Sequence, residues 1–187
     1  MSVRSTAIEV LSDWHAPDRW QDSLRHAVLA FLNARDDACL RACAPGHITA
    51  SVLVLDHTGS QVLLTLHPRL GRWVQLGGHC EAYDDDIHAA ALREATEESG
   101  VEDLRISPDL AAVHVHALTC SLGVPTRHLD LQFVAQAPAG AKIQLSDESV
   151  DLKWWPIDAL PANSDDALAY LVQRAHQSTP DADGGAV

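Results

Sequence analysis

The chain has 187 residues, 47% of them hydrophobic, and a formal net charge of −13 at pH 7. This length suits one catalytic domain with a full core and a modest appendage. The acidic balance argues against general nucleic-acid binding or docking on an anionic membrane, because no basic surface is available to neutralise a polyphosphate backbone. Small phosphorylated substrates stay open, since a bound divalent ion offsets their charge locally.

The cysteines and the composition of the N-terminus give information about the cellular location of the protein. The N-terminus has no continuous apolar run of the signal-peptide or membrane-spanning kind, and the four cysteines form no paired zinc-binding pattern. We therefore expect a cytoplasmic protein without a membrane span. Cys39 and Cys43 are predicted to be small buried residues rather than a ligand pair.

Residues 1–44 are predicted to form a helical extension ahead of the main domain. Residues 1–18 show no sustained hydrophobic period and are predicted to be a lead-in. From Trp20 to about Arg35, apolar residues recur at spacings of three and four, which indicates an amphipathic helix with one docked face. Residues 36–44 are predicted to continue as a second short helix. A homodimer contact and a substrate lid stay open for this extension, with packing on the domain's own surface favoured.

A β-hairpin is predicted next, at the start of the sheet. Residues 47–55 read as an apolar strand, residues 56–60 as a turn, and residues 61–67 as the antiparallel return. The hairpin places the first two strands side by side.

The segment 69–76 is predicted to be a loop and a short strand that lead into a glycine pair. Arg69 and Arg72 are candidate ligands for a diphosphate, because guanidinium groups bind phosphate oxygens with good geometry. Trp73 is a candidate for stacking on a base or for packing beneath the following loop, and packing is favoured.

A helix loaded with carboxylates follows the glycine pair. Asp84-Asp85-Asp86 is predicted to open it, because aspartates cap free N–H groups and favour the positive end of the helix dipole. Gly100 is predicted to close it in the left-handed conformation.

Glu94, Glu97 and Glu98 fall within about 100° of one another on this helix. Carboxylates at these spacings repel each other, so the cluster suits a cation better than it suits helix stability. Hard oxygen ligands of this kind favour Mg²⁺ or Mn²⁺. The alternative is a solvated acidic face stabilised by Arg93.

The stretch Arg93-Glu94-Ala95-Thr96-Glu97-Glu98-Ser99-Gly100-Val101, preceded by Gly77-Gly78, resembles the box of the Nudix hydrolase family, G-x5-E-x7-R-E-U-x-E-E-x-G-U with U aliphatic. The second half matches at each specified position, except that Ala95 is a small version of U. The resemblance covers about residues 46–160.

The first half of the box departs from the family pattern. One extra residue separates Gly78 from Arg93, and the expected Glu is replaced by Asp84 or Asp85, depending on where the extra residue lies. We expect the insertion in the loop, because an insertion in the helix would rotate the acids off their face by about 100°.

Two further strands are predicted beyond the box. Residues 111–118 alternate, so His114 and His116 point from one face of a strand, and residues 129–135 alternate in the same way. A metal site at His114 and His116 stays an alternative to two cleft-lining histidines, and His128 receives no role.

The C-terminal part resembles the Nudix ending, in which an acidic loop precedes a tryptophan-containing strand and a last helix, here about Ser164 to His176. The resemblance implies that Glu148, with Asp147 as second candidate, serves as general base or metal ligand; an acidic turn is the alternative. The predicted domain spans residues 45–177, and residues 178–187 lack core formers and are predicted to be a disordered tail.

The resemblance implies an α/β/α sandwich with a mixed sheet, here with the N-terminal helical extension. It also implies metal-dependent hydrolysis of a nucleoside diphosphate linked to another group. In this chain Glu94, Glu97, Glu98 and the Gly78 carbonyl would hold Mg²⁺ or Mn²⁺, and Arg93 would orient Glu94. Glu97 and Glu98 are the principal catalytic candidates, and the partner is a small, nucleotide-derived phosphorylated substrate.

Two alternatives stay open at this point. One is a Nudix-fold binding or regulatory module that recognises a nucleotide without cutting it, although the intact set of acids counts against it. The other is a prenyl diphosphate isomerase, which Gly78-His79-Cys80 resembles faintly, but the other expected surroundings are missing.

Overall fold

A computed structural model of the chain describes residues 1–119, 123–147 and 149–178. Glu148, Cys120 and residues 179–187 of the predicted tail lie outside the described residues. The elements are α1 (Val3–Asp13), α2 (Arg19–Ala34), β1 (His47–Leu55), β2 (Gln61–His67), β3 (Arg72–Val74), β4 (Leu76–His79), α3 (Ile87–Ser99), β5 (Arg105–Ile106), β6 (Ala112–Thr119), β7 (Pro125–Gln136), β8 (Asp151–Pro156) and α4 (Asp166–Ser178).

In the described part of the chain, eight strands form one mixed sheet with β1 at its centre. Strand β1 runs antiparallel to β2 and β4 and parallel to β7. Strand β2 also pairs with β3 and β8, and β7 also pairs with β5 and β6. Each residue of β1 is buried, as expected for a strand covered on both faces. The mixed sheet between helices confirms the predicted fold class.

The two faces of β1 belong to different hydrophobic clusters. Ile48 and Val52 lie in the larger cluster, which takes in buried residues of α1, α2 and α3. Leu53 and Leu55 lie in the smaller cluster with Leu168 and other residues of α4. Since neighbouring residues of a strand point to opposite faces, α3 and α4 cover opposite faces of the sheet.

The prediction of an irregular lead-in was wrong, because residues 3–13 form helix α1. Ser2 caps it through a reciprocal bond pair with Ser5, and the helix buries Val3, Ala7 and Leu11. These residues recur at spacings of four, but the stripe is narrow and its residues are mostly small, so the periodic signal in the sequence is weak.

The prediction of a short helix at residues 36–44 was also wrong. The segment forms consecutive turns, and the Ala38 carbonyl accepts a bond from Ile48 N–H of β1 at 2.8 Å. That carbonyl therefore attaches the segment to the start of β1 and does not extend a helix.

Helix α2 agrees with its predicted bounds within about one residue, and it buries Gln21, Val28 and Leu32. Trp20, predicted on the docked face, is instead 68% exposed. Because Val28 and Leu32 share the larger cluster with the sheet, the extension packs on the domain's own core.

The predicted hairpin is confirmed as β1 and β2, and the later strands and the last helix lie within a few residues of their predicted positions. Strand β5 was not predicted; two residues are too few for a periodic signal. No helix among residues 1–119, 123–147 and 149–178 has the length and apolar character needed to cross a bilayer.

Candidate active site

Helix α3 has both of its predicted end signals. The Asp86 carboxylate accepts bonds from His88 N–H at 2.9 Å and Ala89 N–H at 3.0 Å, and therefore caps the N-terminus. Gly100 closes the helix with φ 67°, in the left-handed region. Since the helix begins at Ile87, the extra residue lies in the loop after β4, and the three glutamates keep their predicted common edge.

The glycine pair of β4 lies directly against two of these glutamates. Gly77 N–H donates to Glu98 Oε2 at 2.9 Å. A Cβ added at Gly78 would lie 2.5 Å from Glu94 Oε2 and 2.8 Å from its Cδ. Only glycine at position 78 leaves the Glu94 carboxylate this close to the strand. Gly77 has φ 142°, and a Cβ there would clash with Ser51 Cα, so glycine is required at this position too.

Arg93 connects the loop, the strand and the helix. Its guanidinium donates to both oxygens of Asp84, at 3.2 and 3.0 Å, and to the His79 carbonyl at 3.0 Å. It also donates to Glu94 Oε1 at 2.9 Å and to Glu97 Oε2 at 3.1 Å. Burial lowers the pKa of Arg93, but the bonds to Asp84 and Glu94 outweigh this and hold the pKa well above its usual range.

Asp84 is therefore the residue that stands in for the expected glutamate of the box. Its side chain is 5% exposed and bonds Arg93 in the two-pronged geometry that suits a guanidinium. The sequence left Asp84 and Asp85 as equal candidates, and the bonds to Arg93 select Asp84.

The structure brings Gly78, Arg93, Glu94, Glu97 and Glu98 together at the junction of β4 and α3. The Glu94 side chain is 14% exposed and that of Glu97 is 59% exposed, so the carboxylates run from the strand toward solvent. Carboxylate and carbonyl oxygens in this arrangement fit a hard divalent cation. Because Gly78 has no Cβ, its backbone lies close to the Glu94 carboxylate.

The predicted substrate residues lie on β3 and on the β2–β3 connection before it. Trp73 is 7% exposed and packs edge-on against Trp155, with ring centroids 5.2 Å apart. This packing leaves little ring surface for a base. Arg72 lies 3.7 Å from Asp165, which precedes α4, and Arg69 is exposed.

The sequence interpretation placed His114 and His116 on one face of a strand, but it missed the longer row of polar side chains that the sheet assembles across its centre. Asp130 accepts bonds from Thr49 at 2.8 Å, from Ser51 and from Gln132. Five histidines continue this row, and neighbouring ring centroids lie 4.9 to 5.2 Å apart; they are His47, His79, His128, His116 and His114. His128, Asp130 and Gln132 are spaced by two in the sequence, and this spacing could have predicted that they lie on one face of a strand.

Burial sets the charge of these histidines. It lowers the pKa of His79 to about 3 and that of His128 to about 4, and it also lowers the pKa of His47 and His116. His47, His79, His116 and His128 are therefore neutral at physiological pH.

Comparison with known proteins identifies the family of the chain. The sequence model of the NUDIX domain matches residues 45–175, which is well over half of the chain. The chain therefore belongs to the Nudix family, whose enzymes generally use divalent metal ions.

Curated relatives match part of the chain. This chain is 31% identical over 127 residues to the NAD-capped RNA hydrolase NudC of Stutzerimonas stutzeri, and the aligned region covers 65% of this chain and 42% of that protein. It is 32% identical over 117 residues to NudC of Pseudomonas aeruginosa (strain LESB58), covering 61% and 38% respectively. The chain thus spans less than half the length of these relatives.

Solved structures share the fold at lower identity. A C. elegans Ap4A hydrolase has a TM-score of 0.55 at 23% identity and covers 70% of this chain and 95% of its own. The NUDIX domain of Shewanella oneidensis NrtR, complexed with ADP ribose, has a TM-score of 0.54 at 20% identity and covers 79% and 96%. At these identities the likeness establishes the fold alone.

Proposed function

We propose that the chain hydrolyses a nucleoside diphosphate linked to another group, in a reaction that depends on a divalent cation. The observation that carries the proposal is the docking of Glu94 and Glu98 on the Gly77-Gly78 backbone, with Arg93 bonded to Glu94. The curated relatives are NAD-capped RNA hydrolases by name. NAD is a nucleoside diphosphate joined to a second nucleoside, so it belongs to the proposed substrate class.

The proposed cation is Mg²⁺ or Mn²⁺, held by Glu94, Glu97, Glu98 and the Gly78 carbonyl, because these are hard oxygen ligands. When bound, such an ion neutralises the diphosphate and makes an attacking water more acidic. Arg93 positions Glu94 and Glu97 through its bonds to their carboxylates, and the Gly77 N–H positions Glu98. Preorganised ligands reduce the reorganisation that the reaction requires.

The proposal also assigns a general base and the substrate contacts. Glu148, which lies outside the described residues, is the proposed general base, with Asp147 as second candidate; both precede β8. A loop acid of this kind approaches the reacting centre only in the substrate complex. Arg69 and Arg72 are proposed to contact the diphosphate.

The test is a substrate panel run with Mg²⁺ or Mn²⁺: NADH, ADP-ribose, dinucleoside polyphosphates, nucleotide sugars and nucleoside triphosphates. We expect turnover on at least one member, and a loss of about 100-fold or more in Glu97→Gln and in Glu98→Gln, because each removes a charge that stabilises the reacting phosphate. Glu102→Gln, an exposed residue just beyond α3, is the matched control and retains activity.

Two results would contradict the proposal. Unchanged turnover in Glu97→Gln and Glu98→Gln would remove these residues from the site. Nucleotide binding without turnover on the whole panel would instead favour a module that recognises its ligand without cutting it.

The proposed partner is a small molecule. A net charge of −13 opposes general nucleic-acid binding. A homodimer and a cytoplasmic location stay predictions, and analytical sedimentation tests the first of them.

A further inference from the structure

Three of the histidines form a compact group on the sheet face opposite α3; they are His47, His79 and His128, called the imidazole trio below. Gly78 faces Glu94 of α3, so its neighbour His79 points to the other face of β4. The ring centroids of the trio lie 5.0, 4.9 and 4.9 Å apart. One ring nitrogen from each residue lies within 4.8 Å of the other two.

The strand pairing holds the trio in place. His47 is opposite His128 in the parallel β1–β7 ladder, and His79 is opposite Thr49 in the antiparallel β1–β4 ladder. His116 of β6 is opposite His128 on the far side, with ring centroids 5.2 Å apart. The side chains therefore project from adjacent positions of three hydrogen-bonded strands, with a fourth imidazole beside them.

The hydrogen bonding of the ring nitrogens suits metal-binding histidines. His47 is 1% exposed, and its Nδ1 lies 3.4 Å from the Cys43 carbonyl. A proton on Nδ1 donated to that carbonyl leaves a lone pair on Nε2, the arrangement that fixes the tautomer in metal-binding histidines. Within the described part of the chain, His47 Nε2, His128 Nε2 and His116 Nδ1 are buried without a hydrogen-bond partner.

The size of the group matches a tetrahedral ion. With a metal–nitrogen bond of about 2.05 Å and a ring centroid about 1.15 Å further out, two imidazoles on one tetrahedral ion have centroids about 5.2 Å apart. The observed 4.9 to 5.0 Å separations are close to this value. The ring nitrogens lie within 4.8 Å of one another, and side-chain rotation would bring them to the separation of about 3.3 Å that one tetrahedral ion requires.

Charged side chains of both signs lie near the imidazole trio. The Asp130 carboxylate lies near enough to His128 and His116 to raise their pKa against the larger effect of burial, while Arg41 acts in the opposite direction on the trio. Asp130 and Arg41 therefore act on His128 with opposite sign. Imidazole ligands select borderline transition ions over Mg²⁺, which prefers oxygen.

We propose that His47, His79 and His128 bind one divalent transition ion of the Zn²⁺ class. This second metal site lies on the opposite face of β4 from the Glu94–Glu98 site. It ties β1, β4 and β7 together at the strand that also carries Gly78. The site does not depend on the proposed hydrolase activity.

The test uses Co²⁺, because tetrahedral imidazole coordination gives it a distinctive visible absorption. The full-length Glu97→Gln/Glu98→Gln variant, which lacks two ligands of the carboxylate site, is titrated with Co²⁺ in the presence of excess Mg²⁺. We expect one ion bound per chain. The variants His79→Ala and His128→Ala, added separately, should each weaken Co²⁺ binding by about 100-fold or more.

His57→Ala, an exposed histidine on the β1–β2 turn, is the matched control and should bind Co²⁺ as before. His47→Ala should also abolish Co²⁺ binding, but it removes a fully buried ring and could prevent folding. In that case the test depends on the variants at the half-buried His79 and His128. Absence of Co²⁺ binding in the folded chain would overturn the proposal. Binding that survives both His79→Ala and His128→Ala would overturn it equally.

Discussion

The Arg93→Ala substitution removes the residue that holds the β4–α3 junction together. It leaves the Asp84 carboxylate, 5% exposed, without the guanidinium that bonds both of its oxygens. Breaking a buried ion pair from one side costs about 3–5 kcal/mol. The buried Asp84 carboxylate would keep the bond from Glu81 N–H at 2.7 Å, so the lower end of this range is expected. In a chain of this size, a free-energy loss of that magnitude lowers the melting temperature by about 6–20 °C.

Thermal and urea unfolding measure this effect, and a double-mutant cycle isolates the pair. Arg93→Ala/Asp84→Ala removes both charges, so its cost should fall short of the sum of the single costs by about 1 kcal/mol or more. Arg105→Ala, an exposed arginine on β5, is the control and should change stability by about 0.5 kcal/mol or less. Hydrolytic activity should also fall in Arg93→Ala, because Glu94 and Glu97 lose their positioning partner.

A melting temperature within about 2 °C of that of the unsubstituted chain would refute this reasoning, because it would show that loss of Arg93 does not destabilise the buried Asp84 carboxylate. Strict additivity in the double-mutant cycle would have the same consequence. Full activity in Arg93→Ala would show that the positioning role is wrong.

Three other perturbations test separate parts of the structure. Gly78→Ala places a Cβ against the Glu94 carboxylate, so the affinity for Mg²⁺ should fall about tenfold or more with little change in melting temperature; unchanged affinity by calorimetry would contradict it. Asp18→Ala removes the cap of α2 and the acceptor of Tyr170 O–H, and should cost about 1 kcal/mol in urea unfolding, whereas Asp18→Asn should cost less. Deleting residues 1–44 removes Val3, Leu11, Val28 and Leu32 from the larger cluster, so the truncated chain should aggregate or melt much earlier; equal stability would show that the extension is not docked.

The sequence determined the elements that depend on near neighbours. The hairpin, the box helix and the last helix follow from periodicity and from end signals that lie within a few residues of each other. The common edge of Glu94, Glu97 and Glu98 follows from helix geometry alone, once the insertion is placed in the loop. These predictions needed no knowledge of which segments meet.

Tertiary structure decided what depends on distant partners. Local pattern does not distinguish Asp84 from Asp85, and only the position of Arg93 after the chain folds back selects one of them. Helix α1 has too narrow an apolar stripe to be recognised until its partners in α2 and the sheet are in place.

The imidazole trio is the clearest case. His47, His79 and His128 come from strands far apart in the chain, and their meeting depends on the parallel register of β1 with β7 and the antiparallel register of β1 with β4. A slip of one residue in either register would turn a ring to the other face. The sequence therefore determined which residues have ligand chemistry, while strand pairing decided which of them share a site, because register is set by the packing of the whole sheet.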